Sequence, residues 1–412
     1  MANIVLYHFF RLELEACGLP QNQPGLSPKE RIKNALPYMP RAKNTGTRWA
    51  LRTLLKDLYG MKEDFLCEEN WEELYEKFEA NRTNYEWPKE VLTKRARIQN
   101  SAINLDEYTE WTAKRDAGAE EWKRYSEIFF PTVEQGTFVF GTVDDMCEKI
   151  DKRIQAKITD IDSFEHALRN YISPEELKSI KVFLAWATVD LYYCDIKRDE
   201  VNDVIRRCLA GEKVPKAELN KVHVFCLRTF LDVFKDYDIV VQLFFGSEFS
   251  PQWKEPVISS YGTKTMNALC DCFIDHSNQR FELLIGSMLY SQQSNIIAKM
   301  YPNVGLSGIW WHNMYPTYLR QMINERLDTV PMWKVCGFFS DAYRVEWSYG
   351  KWQMVKRELA SVFAERVVSG RMSREDVREI AHYWLWENPM RTYKLDVKKQ
   401  NTKSKTAAMA SA

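Results

Sequence analysis

Apolar positions along this chain recur with two periods. Short runs rich in Val, Ile, Leu and Phe occupy Ile98–Asn104, Ile128–Val133, Ile180–Trp186, Asp238–Gly246, Phe281–Leu289, Val304–Trp311 and Val335–Ala342. Their length and composition predict β-strands. Between them run longer stretches in which apolar residues return every three to four positions. In Lys351–Ser369, for example, Trp352, Val355, Leu359, Val362, Phe363 and Val367 form one stripe, the mark of an amphipathic helix. Strands alternating with helical stretches predict a parallel sheet, because parallel neighbours must be joined by a crossover. The strand runs fall one short of the eight-stranded closed barrel that this alternation otherwise suggests.

The first 97 residues read differently. Trp49–Tyr59 and Asn70–Phe78 carry helical spacing, and links rich in Pro, Gly and Asn lie at Gln21–Pro28 and Pro37–Thr47. Three parts are therefore expected: an N-terminal helical segment over 1–97, a (β/α) barrel over 98–395, and a polar, basic, disordered tail over 396–412. Two helix starts are written locally. Ser373 with Asp376 reads as a capping box, and Ser173-Pro174-Glu175-Glu176 is a similar start with Pro at the first helical position.

Composition narrows the function classes. Lys+Arg and Asp+Glu both number 57 in 412 residues. A formal net charge of +0 argues against a nucleic-acid surface, which shows as a basic excess. The nine cysteines are scattered without framework spacing, which reads as thiols of a reducing compartment. The start of the chain lacks the marks of a secretory leader, and no apolar run approaches the ~20 residues of a membrane span. A cytoplasmic protein without membrane partners is expected. The 14 Trp, 20 Tyr and 21 Phe suit an enzyme with an aromatic pocket.

Several chemistries lack their motifs. There is no His-x-His or His-Glu-x-x-His for a metal, no G-x-S-x-G for a serine nucleophile, and no P-loop or G-x-G-x-x-G for a nucleotide. Cys270, Cys272 and His276 read as helical residues that do not share one face. What remains is local. Asp341, with Tyr343 and Arg344, closes the last apolar run. A carboxylate at the C-terminal end of a barrel strand is where such folds place their chemistry. Trp310-Trp311-His312-Asn313 close the preceding run, and apolar rings beside polar groups suit a sugar-sized ligand. Tyr7-His8 opens an amphipathic stretch near the start.

Together these residues resemble the uronate (glucuronate) isomerase family, a branch of the amidohydrolase-like (β/α)8 barrels. The resemblance is best in Gly308–Leu395. There Gly-Ile-Trp-Trp-His-Asn, Gly-Phe-Phe-Ser-Asp-Ala, Tyr-Gly-Lys-Trp and Asn-Pro-Met-Arg follow in the family's order. Leu6-Tyr7-His8-Phe9 and Phe281–Asn303 also look similar. The resemblance implies an α/β TIM barrel of amidohydrolase type. It implies aldose–ketose isomerisation of hexuronates through a cis-enediol, D-glucuronate to D-fructuronate or D-galacturonate to D-tagaturonate. By position it makes Asp341 a divalent (zinc-like) metal ligand and proton handler, and His8 a catalytic histidine. It makes Trp310, Trp311, His312, Arg344 and Arg391 contacts to a small sugar-acid substrate.

The chain also departs from that pattern. The family's first strand carries His-x-His and should precede Leu6-Tyr7-His8, so it is expected upstream of Met1. Phe9 stands where many relatives have Tyr, Glu134 near a third-strand Arg, and Tyr343 where an Arg often follows the last-strand Asp. These departures keep two alternatives open: a repurposed, inactive barrel that binds a sugar acid, and a metal-dependent hydrolase of the same superfamily. A barrel lacking its first strand would leave two unpaired edges. Poor solubility or homo-oligomer formation is then expected unless another segment covers the gap.

Overall fold

The computed structural model describes residues 1–21, 23–118, 127–188, 191–249, 256–262, 264–310 and 315–395. Its main sheet contains β1 (Ser101–Asn104), β2 (Phe129–Glu134), β3 (Val182–Ala187), β4 (Val240–Phe245), β7 (Phe281–Ile285), β8 (Val304–Ser307) and β9 (Val335–Cys336). They lie in the order β1-β2-β3-β4-β7-β8-β9. Every neighbouring pair is parallel. Each strand coincides with one of the seven apolar runs, β2 and β3 extending one residue beyond theirs. One pair was not foreseen: β5 (Ser247–Phe249) and β6 (Pro256–Ser259) form a two-stranded antiparallel ribbon after β4. Among the described residues no helix is long and apolar enough to cross a membrane.

The helix starts follow their sequences. Ser173/Glu176 and Ser373/Asp376 both form complete capping boxes, so side chains satisfy backbone N–H groups that have no partner within the helix. The N-terminal helices are joined to the barrel through Val345–Val368, which packs against Gly46–Tyr59. At this contact a Cβ on Gly350 would lie 3.0 Å from the Ala50 carbonyl oxygen. Buried Glu346 accepts hydrogen bonds from Tyr59 Oη (2.8 Å) and Trp87 Nε1 (2.9 Å).

The interior of the sheet is layered. Registered partners Glu134–Leu184–Gln242–Glu282–Gly305 form one row across five strands, and side chains in such a row share a face. At the N-terminal ends of the strands, Tyr393 is buried among Val182, Val240 and Cys336. Its hydroxyl takes a hydrogen bond from Gln242 Nε2 (2.7 Å) and shares one with Ser307 Oγ (2.6 Å). Ser307 in turn donates to Glu282 (3.0 Å), whose carboxylate also receives Arg280. This polar floor satisfies a fully buried carboxylate, which would otherwise be strongly unfavourable. Above it lies an aromatic layer in which Trp186, Phe244, Trp310 and Phe339 meet at ring distances of 4.8–5.6 Å.

The outer edge of β9 is covered. Gly337 N donates to the Trp384 carbonyl (2.7 Å), and Asn388 Nδ2 donates to the carbonyls of Val335 (2.8 Å) and Met332 (2.6 Å). The segment Tyr383–Thr392 thus occupies hydrogen-bonding groups that an added strand would use. This is the cover that the sequence reading required against edge pairing, and it lies on β9.

Candidate active site

The last apolar run is strand only over Val335–Cys336. Asp341 therefore lies five residues beyond the strand, in the loop at its C-terminal end, rather than closing it. The run leaves the sheet because Gly337 N is bonded to Trp384 rather than to a strand neighbour. Asp341 has a φ of +43°, in the left-handed region that Asp tolerates better than most residues.

Three side chains fix this residue. Trp310 Nε1 donates to Asp341 Oδ2 (2.9 Å). Tyr7 Oη donates to the Asp341 carbonyl (3.2 Å) and accepts from Tyr343 N (3.3 Å). Lys351 Nζ donates to the carbonyls of both Ser340 and Asp341, each at 2.8 Å. Tyr7 is itself positioned by stacking on Trp347 (4.6 Å), whose Nε1 bonds the Ile4 carbonyl (2.9 Å). A small cavity of about 30 Å³ adjoins this cluster, lined in part by Tyr7, Phe9, Tyr315 and Lys351.

Electrostatics follow from this packing. Burial lowers the Lys351 ammonium to about 8, against the opposing pull of the Asp341 carboxylate. Burial, and then the same carboxylate, raise the Tyr7 hydroxyl well above the usual range. Glu134 ends β2 on the interior row. Its carboxyl is raised first by desolvation and then by Asp341, while Lys149 opposes the shift. Glu134 is exposed to solvent, but the surrounding protein and the Asp341 charge still act on it. Water contacts it, and the ionised form is still disfavoured.

A stability prediction follows. The folded state holds the Glu134 proton to higher pH than the unfolded chain does. Its contribution is therefore complete below about pH 4.3, the unfolded value, and is lost as pH rises through the folded value. Glu134→Gln removes that loss. The variant is expected to melt at or above the wild-type temperature at pH 7, with the difference closing near pH 4. Calorimetry at the two pH values checks this, and a less stable variant at pH 7 would contradict it.

The other expected site residues are placed unevenly. Trp310 meets Asp341 but is only 1% exposed, so it acts on the carboxylate and offers no open face to a ligand. Arg344 is exposed and caps the helix Val345–Val368 beside Asp341. Arg391 is not brought to this site. It stacks on Trp333 (3.7 Å) and donates to the Trp333 carbonyl (2.6 Å), just before β9 at the opposite end of the sheet. His8 opens the helix His8–Ala16, but its side chain lies outside what is described, as do Trp311 and His312 entirely. Tyr7 was read only as the neighbour of His8, and Lys351 only within Tyr-Gly-Lys-Trp; neither was given a role in the site. Lys351 did carry a signal, since it falls on the buried stripe with Trp347, Met354 and Val355.

The metal expectation meets a different donor set. Among the described residues no three His, Cys, Asp or Glu side chains converge to hold an ion. His223 faces the Gly141 carbonyl, His276 faces Tyr193, His382 faces Glu387, and His166 lies beside Asn170. Among the described residues the Trp310 indole meets the Asp341 carboxylate, while the Tyr7 phenol and the Lys351 ammonium meet its backbone carbonyl. These described groups do not by themselves supply the ligands of a divalent ion, and the His8 side chain and His312 lie outside them.

Comparison with known proteins accords with this geometry. No family model matches the chain. It is similar to the uronate isomerase of Thermotoga maritima, 20% identical over 255 residues, or 59% of this chain and 56% of the relative. It is similar also to that of Thermotoga petrophila, 20% identical over 211 residues, 48% and 46% of the two chains. The matched part thus spans about half the length of these curated relatives. Among solved structures, uronate isomerase from Thermotoga maritima superposes with a TM-score of 0.78 at 17% identity, covering 92% of this chain and 86% of the other. Glucuronate isomerase from Caulobacter crescentus gives 0.75 at 17%, covering 92% and 81%. The uronate isomerase of Bacillus halodurans gives 0.71 at 14%, covering 96% and 88%. At these identities the likeness establishes the fold, a parallel (β/α) barrel of the uronate isomerase kind.

Proposed function

We propose that this protein interconverts an aldohexuronate and the corresponding ketohexuronate by proton transfer, with Asp341 as the proton-transfer group. The observation that carries the reading is a carboxylate locked at the C-terminal mouth of a barrel whose fold is that of uronate isomerases. In this reading Asp341 takes the proton from C2 of the open-chain aldehyde. It returns the proton to C1 of the resulting cis-enediol, because the two carbons are adjacent and one carboxylate reaches both. Glu134, held protonated to higher pH than usual, gives its proton to O1 as the enediol forms and takes the O2 hydroxyl proton when C1 is protonated, so that the hydroxyl proton passes from O2 to O1. Arg344 and the free N–H groups at the start of its helix favour the substrate carboxylate. No step is routed through a metal. The C-terminal Arg391 has no part in it, since its guanidinium is engaged at the other end of the sheet.

The test is incubation of the purified protein with D-glucuronate and D-galacturonate in D2O, followed by proton NMR. The reading expects ketohexuronate bearing deuterium at C1, and no turnover of D-glucose, which lacks the carboxylate. Absence of both isomerisation and C2 exchange with either uronate would overturn it. Tight calorimetric binding without turnover would support instead a barrel that only holds a sugar acid.

A further inference from the structure

We propose that Lys351 is a positioning residue that sets the backbone of Asp341, and through it the aim of the carboxylate. The proposal rests on Asp341 being the proton-transfer group. In an extended strand, consecutive carbonyls point to opposite sides. Here the carbonyls of Ser340 and Asp341 converge on one ammonium nitrogen, both at 2.8 Å. That is possible only because the chain leaves the extended conformation between them, at the residue with φ +43°. The lysine and the left-handed turn therefore require one another.

The rest of the geometry points the same way. Lys351 is 5% exposed and sits mid-helix, so its reach is set by the packing of Val345–Val368. A buried ammonium demands partners, and those it has are the two carbonyls that define the turn. Tyr7 adds a weaker donor to the same Asp341 carbonyl. The backbone is thus gripped from the helix side, while the carboxylate faces the barrel and meets Trp310. Lys351 holds main chain and has no contact with the reacting side chain's oxygens. Its influence on chemistry is one of placement, where a displacement of about 1 Å is worth roughly 100-fold in rate.

The experiment uses the full chain with three substitutions. Lys351→Met is expected to lower kcat for the uronate by about 100-fold with KM within about twofold of wild type, because placement acts on the transition state. In Lys351→Ala, n-propylammonium ion should restore kcat at least tenfold, while n-propanol should not. A crystal structure of Lys351→Met should show φ of residue 341 outside the left-handed region and the Trp310–Asp341 bond broken. A wild-type kcat in Lys351→Met, or a structure with the turn and that bond unchanged, overturns the proposal. If Lys351→Met fails to fold, Tyr7→Phe decides: a several-fold fall in kcat at constant KM supports the clamp, and an unchanged kcat overturns it. A wild-type protein inactive on all hexuronates would sink the isomerase reading, while the clamp would still be judged by the variant structures.

Discussion

Asp341→Asn is expected to lower kcat for hexuronate isomerisation by about three orders of magnitude, with KM and melting temperature near wild type. The substitution isolates one property. Asn is nearly the same shape, and like Asp it tolerates positive φ, so the turn at +43° is kept. The bonds from Lys351 and Tyr7 go to main-chain carbonyls and do not depend on the side chain. The amide oxygen can still accept from Trp310 Nε1, as Oδ2 does now. What is lost is the capacity to take up a proton. General acid–base catalysis is worth roughly 10²–10⁴ in rate, and no other described carboxylate shares this anchoring. Steady-state kinetics and solvent deuterium exchange at C2 measure the loss. A variant that keeps a tenth of the wild-type exchange rate would remove Asp341 from the proposed mechanism.

Most of the seven strand runs were legible in the sequence because they are buried and β-rich; Ser101–Asn104, with no buried residue, was the weakest. The parallel sheet followed from their spacing. The strand ends were less legible. Val335–Phe339 carries no charged residue or Pro, and no local rule says that the chain leaves the sheet at Gly337; a long-range bond to Trp384 decides it. The ribbon β5–β6 was not read from the sequence, its strands being only 3 and 4 residues long. In the site, Asp341 and Trp310 could be read from residue type and position. Arg391 could not be placed, since sequence order says nothing about which end of the barrel a C-terminal segment reaches. Lys351 was readable in principle, as a charge on an apolar stripe, but its partners are backbone atoms and leave no mark in the sequence.

The cover on β9 also bears on edge pairing. The sequence reading expected edge association because a barrel without a first strand exposes hydrogen-bonding groups. On the β9 side, Asn388 fills two of those carbonyls with one amide, and Trp384 receives Gly337. The same segment carries Tyr393 into the polar floor. Edge protection and core closure are therefore supplied by one stretch of chain, in which Arg391 stacks on Trp333 and donates to its carbonyl.

Gly308→Ala is expected to be the most damaging small substitution in the barrel, destabilising it by roughly 2–5 kcal/mol, as the sum of left-handed strain and overpacking. Gly308 has φ +61°, and an added Cβ would lie 2.2 Å from Phe339 Cβ and 2.5 Å from Phe339 N. The obstacle is backbone and the stem of a packed ring, so it cannot swing away. The position is also held from behind, because buried Arg326 donates to the Gly308 carbonyl (2.7 Å) and Gly308 N bonds the Cys336 carbonyl. Gly370→Ala provides the control. Its φ is +71° and a Cβ there meets nothing within 4 Å, so only the conformational part, about 1 kcal/mol, should appear. The difference between the two variants in urea denaturation measures the close crossing of the loops after β8 and β9. That crossing brings Trp310 from one loop to Asp341 on the other. Any Gly308→Ala protein that still folds should therefore lose activity in proportion to the displacement of that hydrogen bond. Equal stability losses in the two variants would mean that the loops separate freely and that the bond is set elsewhere.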